Sequence, residues 1–407
     1  MDARRATTRG LDAIRDSLTN EPRVYAVAAG KAAVGMARAL DEAIGDALAA
    51  GVMTADAAGA TGAWRAVAAT HPAPSETSEA AGRAALKLAD RSRREHVPLV
   101  VCLSGGASAM MAVPAPGLTL ADKTAVTRRL LLAGLNISEL NLVRRHLSAV
   151  KGGQLAARAG RSITLAISDV CVPVDDDPTV IGSGPTVGDD TTFGEALDVL
   201  RRHDVLTDLP PAVVAHLEAG AAGLVDGPVP SSDARLVSAA YFIVASRHDA
   251  MRAAAETARR LGYHAYVQKA PTVGEAGDAA RAFLASARGL ERPACVVATG
   301  ETTVHVRGQG RGGRNQEFAV ALIEGLSAAG PAALASIGTD GRDGPTDAAG
   351  AFVHDGMWAA LGPSGPGRVE AALRENDTYP FLEALDALVR TGPTGTNVGD
   401  LQVLLLP

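Results

Sequence analysis

Residues 98–109 read PLVVCLSGGASA, an apolar run that passes directly into a loop of glycines and serines. The run Pro98–Leu103 contains no charged or hydroxyl residue, which predicts a strand buried on both faces of a sheet. The loop Ser104–Ser108 follows, and a helix is expected to begin near Ala109. A buried strand, a short loop and a helix in succession indicate an α/β fold.

Two other stretches repeat this arrangement. Val24–Ala29 is a strand-like run before the helical pattern of Ala32–Ala43, and Ile163–Ile167 is a third apolar strand. Because helices separate these strands, we expect a mostly parallel sheet that is covered on both faces.

The length of the chain, 407 residues, exceeds what one hydrophobic core usually supports, so two domains are expected. The stretch Gly223–Ser232 is rich in Gly, Pro and Ser, which is typical of a domain boundary. We therefore predict an N-terminal domain of residues 1–230 and a C-terminal domain of residues 231–407.

The second half is also predicted to be α/β. Its strand-like runs are Ala234–Ala245, Ala265–Lys269, Ala294–Ala298, Thr303–Arg307, Leu334–Ile337 and Leu401–Leu406. Its helical patterns are His248–Leu261, Glu275–Ala287 and Gln316–Ala329. The strand spacing between Cys295 and Val306 favours a hairpin, which predicts a mixed sheet.

Composition excludes several classes of partner. The formal charge is −6, which argues against general attraction to nucleic acid or to a membrane surface, and aromatic residues make up 3%, too few for stacking on single strands. No apolar run reaches the about 18 residues of a membrane span. Cys102, Cys171 and Cys295 show neither disulfide nor metal spacing, which predicts a reducing, cytoplasmic location.

Polar residues fall where strands of the first half end, the position where open α/β sheets bind ligands. Gly30-Lys31 follows the first strand, and glycine there allows close approach of backbone N–H groups to an anion. Ser104–Ser108 offers two glycines and two hydroxyls for a phosphate or a carboxylate. Both are also compatible with ordinary strand-to-helix turns.

Two further segments of the first half contain candidate ligands. Asp169 ends the third strand, where a carboxylate can hold a metal, accept a proton or cap a turn. The segment Gly182–Thr186 consists of turn formers and hydroxyls, as a binding loop would. The role of the acidic run Asp175–Asp177 stays open.

The second half contributes its own candidates. Arg314 and Asn315 would lie in the first turn of a helix, where an arginine is unfavourable unless an anion is bound. The segment Thr339–Asp347 contains three carboxylates among glycines, either a metal loop or an acidic turn; if Asp343 is only a turn residue, Asp343→Asn should be nearly silent. Thr391–Asn397 is a hydroxyl-rich loop before the last strand.

These parts are the ones that phosphoryl transfer uses, because cations and a carboxylate-held metal neutralise the phosphate oxygens. A Walker A loop, a GxSxG elbow and an HExxH motif are all missing from the sequence. The nearest glycine string, Gly308–Gly313, follows the predicted hairpin and lacks the βαβ context of a dinucleotide site.

The motifs resemble the class of glycerate 2-kinases whose C-terminal half is called the MOFRL domain. The segments that carry the resemblance are Ala28–Ala33, His71–Pro74, Ser104–Ala109, Arg144–Gly153, Ser168–Val170, Gly182–Thr186, Gly312–Glu317, Thr339–Gly350 and Gly395–Leu401. They span nearly the whole chain, and their order makes the set specific although each segment alone is weak.

The resemblance implies a larger N-terminal domain with a Rossmann-like parallel sheet and a smaller, mixed α/β MOFRL domain, with the site in the cleft. It implies phosphorylation of D-glycerate to 2-phospho-D-glycerate with ATP and Mg²⁺. The family's functional lysine falls on Lys31 and its arginine on Arg314, which would neutralise the phosphoryl group and the substrate carboxylate. Asp169 would be the third catalytic residue, and Asp169 or Asp340 would hold the metal or orient the hydroxyl.

Other residues are expected to bind substrate or phosphate. They are Gly30, Ser104, Gly105, Gly106, Ser108, Ser183, Gly184, Thr186, Asn315, Glu317, Thr396 and Asn397. The sequence departs from the family pattern in two places, with Ala107 where many relatives have glycine and with the acidic run after Asp169.

Three other functions stay open at this point: a hydroxypyruvate reductase, a kinase of another small sugar acid, and a sugar-acid sensor without turnover. The sequence argues against the reductase, because its first strand is not followed by the glycine fingerprint of dinucleotide-binding folds. No nucleic-acid or membrane partner is expected, and a homodimer is one expectation for the oligomeric state.

Overall fold

The computed structural model describes residues 2–14, 18 and 21–407. They form two compact units, the first within residues 2–168 and 176–244 and the second within 169–175 and 245–407. Each unit contains one sheet flanked by helices, which confirms the predicted α/β class. The first unit includes residues 231–244, which lie beyond the predicted boundary at residue 230.

The sheet of the first unit is mostly parallel, as predicted. Its strands are β1 (Val24–Ala29), β2 (Leu48–Ala55), β3 (Gly59–Thr61), β4 (Trp64–Ala68), β5 (Leu99–Leu103), β6 (Ser162–Ile167) and β7 (Ala239–Ala245). Their order is β3-β4-β2-β1-β5-β6-β7, and β1, β2, β4, β5 and β6 pair in parallel. Every residue of β1, β5 and β6 is buried, which explains why none of these strands contains a charged residue.

Helices cover this sheet and form a second core beside it. They are α1 (Ala3–Ala13), α2 (Ala33–Ile44), α3 (Glu76–Glu95), α4 (Ala107–Met110), α5 (Leu120–Leu132), α6 (Ile137–His146), α7 (Gln154–Ala159), α8 (Phe193–Arg202) and α9 (Pro211–Ala221). The second core packs α5 and α6 against α8 and α9, with Val126, Val143 and Leu217 fully buried. Reciprocal hydrogen bonds of Thr119 with Asp122 and of Thr192 with Glu195 fix the starts of α5 and α8.

The sheet of the second unit is mixed, as predicted. Its strands are β8 (His264–Val267), β9 (Thr272–Glu275), β10 (Ala294–Thr303), β11 (Ala333–Gly338), β12 (Gly350–His354), β13 (Leu388–Val389) and β14 (Asp400–Leu406). The order is β13-β12-β11-β14-β10-β8, with β9 also beside β10. Strand β10 runs parallel to β8 and β9 and antiparallel to β14.

Two strand predictions for this half were wrong. Residues 294–303 form one strand and residues 304–313 form none, so the hairpin is absent. The reason is tertiary: the C-terminal strand β14 takes the antiparallel position beside β10, and β8 and β9 take the other side. The strand expected from Ala234 begins at Ala239 and belongs to the sheet of the first unit.

Helices cover both faces of the second sheet. They are α10 (Arg247–Arg260), α11 (Ala276–Ser286), α12 (Arg314–Val320), α13 (Ile323–Ala329), α14 (Gly356–Leu361), α15 (Gly365–Arg374) and α16 (Thr378–Glu383). On one face, Phe283 and Phe318 pack with Leu404 in the larger core. On the other face, Met251 of α10 packs against Val297.

None of the helices in the described part of the chain combines the length and the apolar composition that a membrane span requires.

Candidate active site

The loops after β1 and β5 are joined by hydrogen bonds at the carboxyl edge of the first sheet. Gly30 has φ 112°, and a Cβ at this position would collide with the hydroxyl and the carbonyl oxygen of Ser104, so the approach requires glycine. The backbone N–H of Lys31 donates to the carbonyl of Gly105 at 2.9 Å, and that of Ala32 donates to Ser104 Oγ at 3.0 Å. The predicted pair of glycine loops therefore forms one rigid structure.

The side chain of Lys31 runs beside the second loop. Gly106 has φ 88°, and a Cβ built on it would lie 3.5 Å from Lys31 Cγ and 3.2 Å from His71 Cδ2. Lys31, Gly106 and His71 thus come together from three separate segments. His71 was part of the resemblance but was not predicted as a site residue.

Ser108 and Ser183 also come together. Their hydroxyl oxygens are 3.0 Å apart, and Ser183 Oγ donates to Asn141 Oδ1 at 3.2 Å. Gly182, Ser183 and Gly184 all have φ near +60°, a conformation that is unfavourable for serine and that persists here because the surrounding contacts fix it. The fold therefore presents Ser183 towards Ser108 at a conformational cost.

Thr186, another predicted binding residue, is 3% exposed, and its Oγ1 accepts a hydrogen bond from Thr164 of β6 at 2.8 Å. This contact fixes the loop to the sheet.

Two cations that sequence reasoning did not select as site residues contact Ser108. Arg144 Nη2 donates to Ser108 Oγ at 2.7 Å and Lys151 Nζ donates to it at 2.5 Å. Lys151 is 1% exposed, and burial together with the charges of Arg144, Lys123 and Arg145 lowers the pKa of Lys151 well below its usual value. The sequence did contain a signal for this cluster, because Arg144, Arg145 and Lys151 lie close together in a chain that is acidic overall.

In the second unit, Arg314 is the first residue of α12 and pairs with two carboxylates. Its guanidinium contacts Asp400 at 2.6 and 3.0 Å and Glu301 at 2.7 Å. Burial by itself lowers the pKa of Arg314, but the hydrogen bond and charge of Asp400 outweigh it and the pKa is raised. The anion expected beside this arginine is thus supplied in part by the protein.

A third carboxylate occupies the start of α12. Asp343, only 2% exposed, accepts hydrogen bonds from the backbone N–H groups of Asn315 at 3.0 Å and Gln316 at 2.9 Å. Burial raises the pKa of Asp343 to about 6. Asp343 is therefore a buried helix cap rather than an exposed turn residue.

Two predicted binding residues of α12 are used inside the fold. Asn315, 1% exposed, donates to Asp343 and accepts from Ser336 Oγ at 2.7 Å. Glu317, 5% exposed, accepts from Asn376 Nδ2 at 2.8 Å, and burial raises its pKa.

Asp169, Asn397 and the loop of Asp340 converge within the second unit. Asn397 Nδ2 donates to Asp169 Oδ2 at 2.7 Å, while Asn397 Oδ1 accepts from Thr339 Oγ1 at 3.4 Å. Asp340 Oδ1 accepts from the backbone N–H of Arg342 at 3.1 Å. Thr396 is fully buried, and its hydroxyl has no hydrogen-bond partner among the residues that the structure describes.

The oxygen atoms of Asp169, Asp340 and Asn397 are of the type that Mg²⁺ prefers. Among the described residues, no group of three or more His, Cys, Asp or Glu side chains is arranged to hold a metal ion. Mg²⁺ in kinases is commonly held by one or two carboxylates together with substrate phosphates, so the donor set fits this ion.

Comparison with known proteins identifies the family. A family described as a domain of unknown function (DUF4147) matches residues 2–218, and the MOFRL family matches residues 294–400. A glycerate 2-kinase from Pyrococcus horikoshii is 36% identical over 94% of this chain and 87% of its own length. The chain belongs to the glycerate 2-kinase family of enzymes.

Two further relatives agree over the whole length. The crystal structure of a glycerate kinase from Thermotoga maritima superimposes with a TM-score of 0.85 at 33% identity, covering 100% of this chain and 97% of that one. A protein from Agrobacterium vitis is 40% identical over 94% of this chain and 99% of its own, and carries a provisional name as a hydroxypyruvate reductase.

Both departures from the family pattern have structural explanations. Ala107 is the first residue of α4 and, unlike Gly106, does not have a positive φ, so it needs no glycine. Asp175 pairs with the buried Arg247 at 2.5 and 2.7 Å, and Asp177 accepts from the backbone N–H of Thr179 at 2.8 Å. Asp175 and Asp177 therefore have structural partners, whereas, among the described residues, none hydrogen-bonds to the buried Oδ1 of Asp176.

The second unit also contains a cavity of about 470 Å³. It is lined by Arg311, Gly341, Arg342, Gly344, Pro345, Thr346, Asp347, Gly392 and Pro393. Its walls come from two of the predicted loops, Thr339–Asp347 and Thr391–Asn397, and its size is within the range of small-molecule sites.

Proposed function

We propose that this protein transfers the γ-phosphoryl group of ATP to the 2-hydroxyl of D-glycerate, producing 2-phospho-D-glycerate and ADP. The observation that carries the proposal is the loop structure around Lys31, in a chain similar over nearly its full length to a glycerate 2-kinase. A lysine beside two glycine loops is suited to neutralise phosphate oxygens. The N–H groups of Gly30, Lys31 and Ala32 donate within the protein, so backbone approach to the phosphate would come from Gly105 and Gly106 of the second loop.

Lys31 acts on the transferring phosphoryl group in this proposal. Gly30 allows the loop of Ser104 to pack against it, because a Cβ there would collide with Ser104, and a Cβ at Gly106 would crowd the side chains of Lys31 and His71.

Arg314 is proposed to stabilise negative charge from the second unit. Asp400 is fully buried and holds the guanidinium in place, whereas the Glu301 side chain is 51% exposed. An incoming anion can displace the exposed Glu301 contact more readily than the buried one, since burial of the Asp400 charge is tolerated through its pairing with Arg314.

Asp169 is proposed to orient the attacking hydroxyl or, with Asp340 and Asn397, to hold Mg²⁺. When bound, Mg²⁺ would neutralise charge on the phosphate oxygens. Asn397 fixes the orientation of Asp169 through the 2.7 Å hydrogen bond, and Thr396 precedes it in the same loop. Asn315, Glu317 and Thr186 act indirectly in this proposal, since their side chains already bond within the fold.

The second candidate is hydroxypyruvate reduction, favoured by the name of the Agrobacterium relative. It would require a nicotinamide cofactor, for which the turn after β1 lacks the three-glycine fingerprint.

One experiment separates the two. ADP release is followed with ATP, Mg²⁺ and D-glycerate, and NADH oxidation is followed in parallel with hydroxypyruvate. Glycerate-dependent ADP release with ³¹P NMR placing the phosphate on the 2-hydroxyl supports the proposal. NADH oxidation without ADP release contradicts it, and ADP release with other sugar acids alone would change the substrate.

The cellular setting is part of the proposal as well: a cytoplasmic homodimer without nucleic-acid or membrane partners. The three cysteines are free and buried, as expected in a reducing compartment. Light scattering coupled to size-exclusion chromatography tests the oligomeric state, and a monomer mass would contradict the dimer.

A further inference from the structure

We propose that Arg144, with the hydroxyls of Ser108 and Ser183, binds the carboxylate of the hydroxy-acid substrate, and that Lys151 positions Ser108 for this role. The inference rests on the proposed function for the identity of the substrate. It assigns a carboxylate site entirely within the first unit, to residues that the Lys31 loop does not include.

The first argument is uncompensated charge. Among the described residues, no carboxylate lies within ion-pair distance of Arg144, Lys151 or Lys123, although all three are buried or half-buried. The next residue, Arg145, shows the contrast, because it pairs with the buried carboxylate of Asp189 at 2.5 Å. A buried lysine can lose its proton, and burial lowers the pKa of both Lys151 and Lys123, whereas an arginine stays charged. Buried charges are normally paired, so Arg144 without a carboxylate indicates that an external anion supplies the missing charge.

Helix geometry alone does not explain this charge. Arg144 lies in the last turn of α6, where the partial negative charge of the helix end makes a cation slightly favourable. Burial of an unpaired charge costs more than this, so the helix end does not offset it. Lys123 donates to the carbonyl oxygens of Leu147 at 3.1 Å and Val113 at 3.4 Å, and the carboxylate of Glu79 interacts with it from beyond ion-pair distance.

The second argument is the arrangement of donors. Arg144 has five N–H donors in a planar fork, and its contacts are to neutral acceptors, Ser108 Oγ at 2.7 Å and Asn141 Oδ1 at 3.4 Å. The remaining donors suit a planar carboxylate, which guanidinium groups bind with two parallel hydrogen bonds. Ser108 Oγ already accepts from Arg144 and Lys151, so its own O–H is available to donate to an anion or to Ser183.

The third argument is location. Ser108 follows Gly106 by two residues, and Lys31 runs beside Gly106. In a 2-hydroxy acid the carboxylate carbon is bonded to the carbon that bears the reacting hydroxyl. The carboxylate site must therefore lie within a few ångströms of the phosphoryl site. The two ends of the short loop Ser104–Ser108 are close enough to contribute to both sites. A carboxylate is the better assignment here, because the glycine-lined end of the loop gives a phosphate closer backbone approach.

Lys151 is a positioning residue in this scheme. Its Nζ contacts Ser108 O at 2.9 Å, Ser108 Oγ at 2.5 Å and Gly182 O at 3.4 Å. These contacts connect the two serine loops and fix the distance between the hydroxyls of Ser108 and Ser183.

The test compares Arg144→Met and Arg144→Lys with Arg128→Gln, which removes the same charge from an exposed position of α5. For Arg144→Met, the KM for D-glycerate should rise at least about tenfold, while the KM for ATP changes less than about twofold. The preference for D-glycerate over its uncharged amide should fall by a similar factor. Arg144→Lys should recover part of the loss, and Arg128→Gln should match the wild type.

Lys151→Met should raise the KM for D-glycerate with the KM for ATP unchanged, which general loss of structure would not do. If this variant fails to fold, the Arg144 variants carry the test. An increased KM for ATP with an unchanged KM for D-glycerate in Arg144→Met would overturn the assignment, since the site would then belong to the nucleotide.

Binding without turnover separates this inference from the proposed function. Calorimetric titration of glycolate into the full chain without nucleotide should show binding that Arg144→Met abolishes and that equimolar inorganic phosphate does not displace. If the wild type phosphorylates nothing but still binds glycolate through Arg144, the kinase proposal fails and the carboxylate site stands. Glycolate binding that is equal in wild type and Arg144→Met, or is displaced by phosphate, would refute the carboxylate site.

Discussion

The buried pair of Arg145 and Asp189 provides the sharpest stability prediction. Arg145 Nε and Asp189 Oδ2 are 2.5 Å apart, with side chains 9% and 5% exposed. Asp189→Asn keeps the shape of the side chain, and the remaining Oδ1 can still accept from the backbone N–H of Thr191 and from its hydroxyl. The substitution therefore removes the negative charge and places an amide donor in the position of Oδ2, beside the Arg145 guanidinium.

The expected magnitude follows from the burial of both groups. Removing one partner of a buried ion pair costs about 3–5 kcal/mol, because the other charge is left in a poorly solvated position. The Arg145 Nε–H does not point at the carboxylate oxygen in a hydrogen-bond geometry, so we expect the free energy of unfolding to fall by about 3 kcal/mol, at the low end of this range. For a unit of this size, about 2–4 °C of melting temperature is lost per kcal/mol, which gives a decrease of roughly 6–12 °C.

The measurement is urea denaturation of the wild type, Asp189→Asn and the matched control Asp190→Asn. Asp190 is the exposed neighbour and accepts one backbone hydrogen bond from Ser231, so its loss should cost less than about 1 kcal/mol. If the free energies of unfolding of Asp189→Asn and Asp190→Asn differ by less than about 0.5 kcal/mol, the reasoning from burial is refuted.

Four other substitutions test the site. Lys31→Ala and Arg314→Ala should each lower kcat/KM about 10²-fold or more in the ADP-release assay, and wild-type turnover in both would remove them from the site. Gly30→Ala should abolish turnover because its Cβ would collide with Ser104, whereas an alanine at Gly59, which has open space and no positive φ, should remain active. Asp343 has a folded pKa of about 6 against about 4 unfolded, so its stabilisation is complete below about pH 4 and is lost as pH rises through 6. Between about pH 4 and 6, the free energy of unfolding of the wild type should fall by about 3 kcal/mol more than that of Asp343→Asn, because the contributions of all other carboxylates are common to both proteins.

Local sequence was sufficient for the main strands and for the position of the loops. The apolar runs at Val24–Ala29 and Leu99–Leu103 predicted buried parallel strands, because runs this short that end at a glycine loop are more typical of strands than of helices. Glycine and hydroxyl residues after these strands predicted the loops that the structure brings together.

Local sequence patterns did not predict which distant segments of the chain pair with each other. The hairpin predicted near Val306 was wrong, because β14 from the end of the chain pairs with β10. The role of Arg314 was likewise incomplete, since its partners Glu301 and Asp400 lie 13 and 86 residues away. No periodicity in a single segment records such a contact.

The sequence by itself therefore determined the α/β class, the glycine loops and the family resemblance, which depend on residue type and local spacing. Only the tertiary structure showed that Asp343 caps α12, that Arg314 is already paired, and that Arg144 and Lys151 contact Ser108 without a carboxylate. The physical reason is that burial and charge compensation depend on groups that lie far apart in the chain. Their interaction energies and pKa values are set only when the fold brings these groups together and removes them from water.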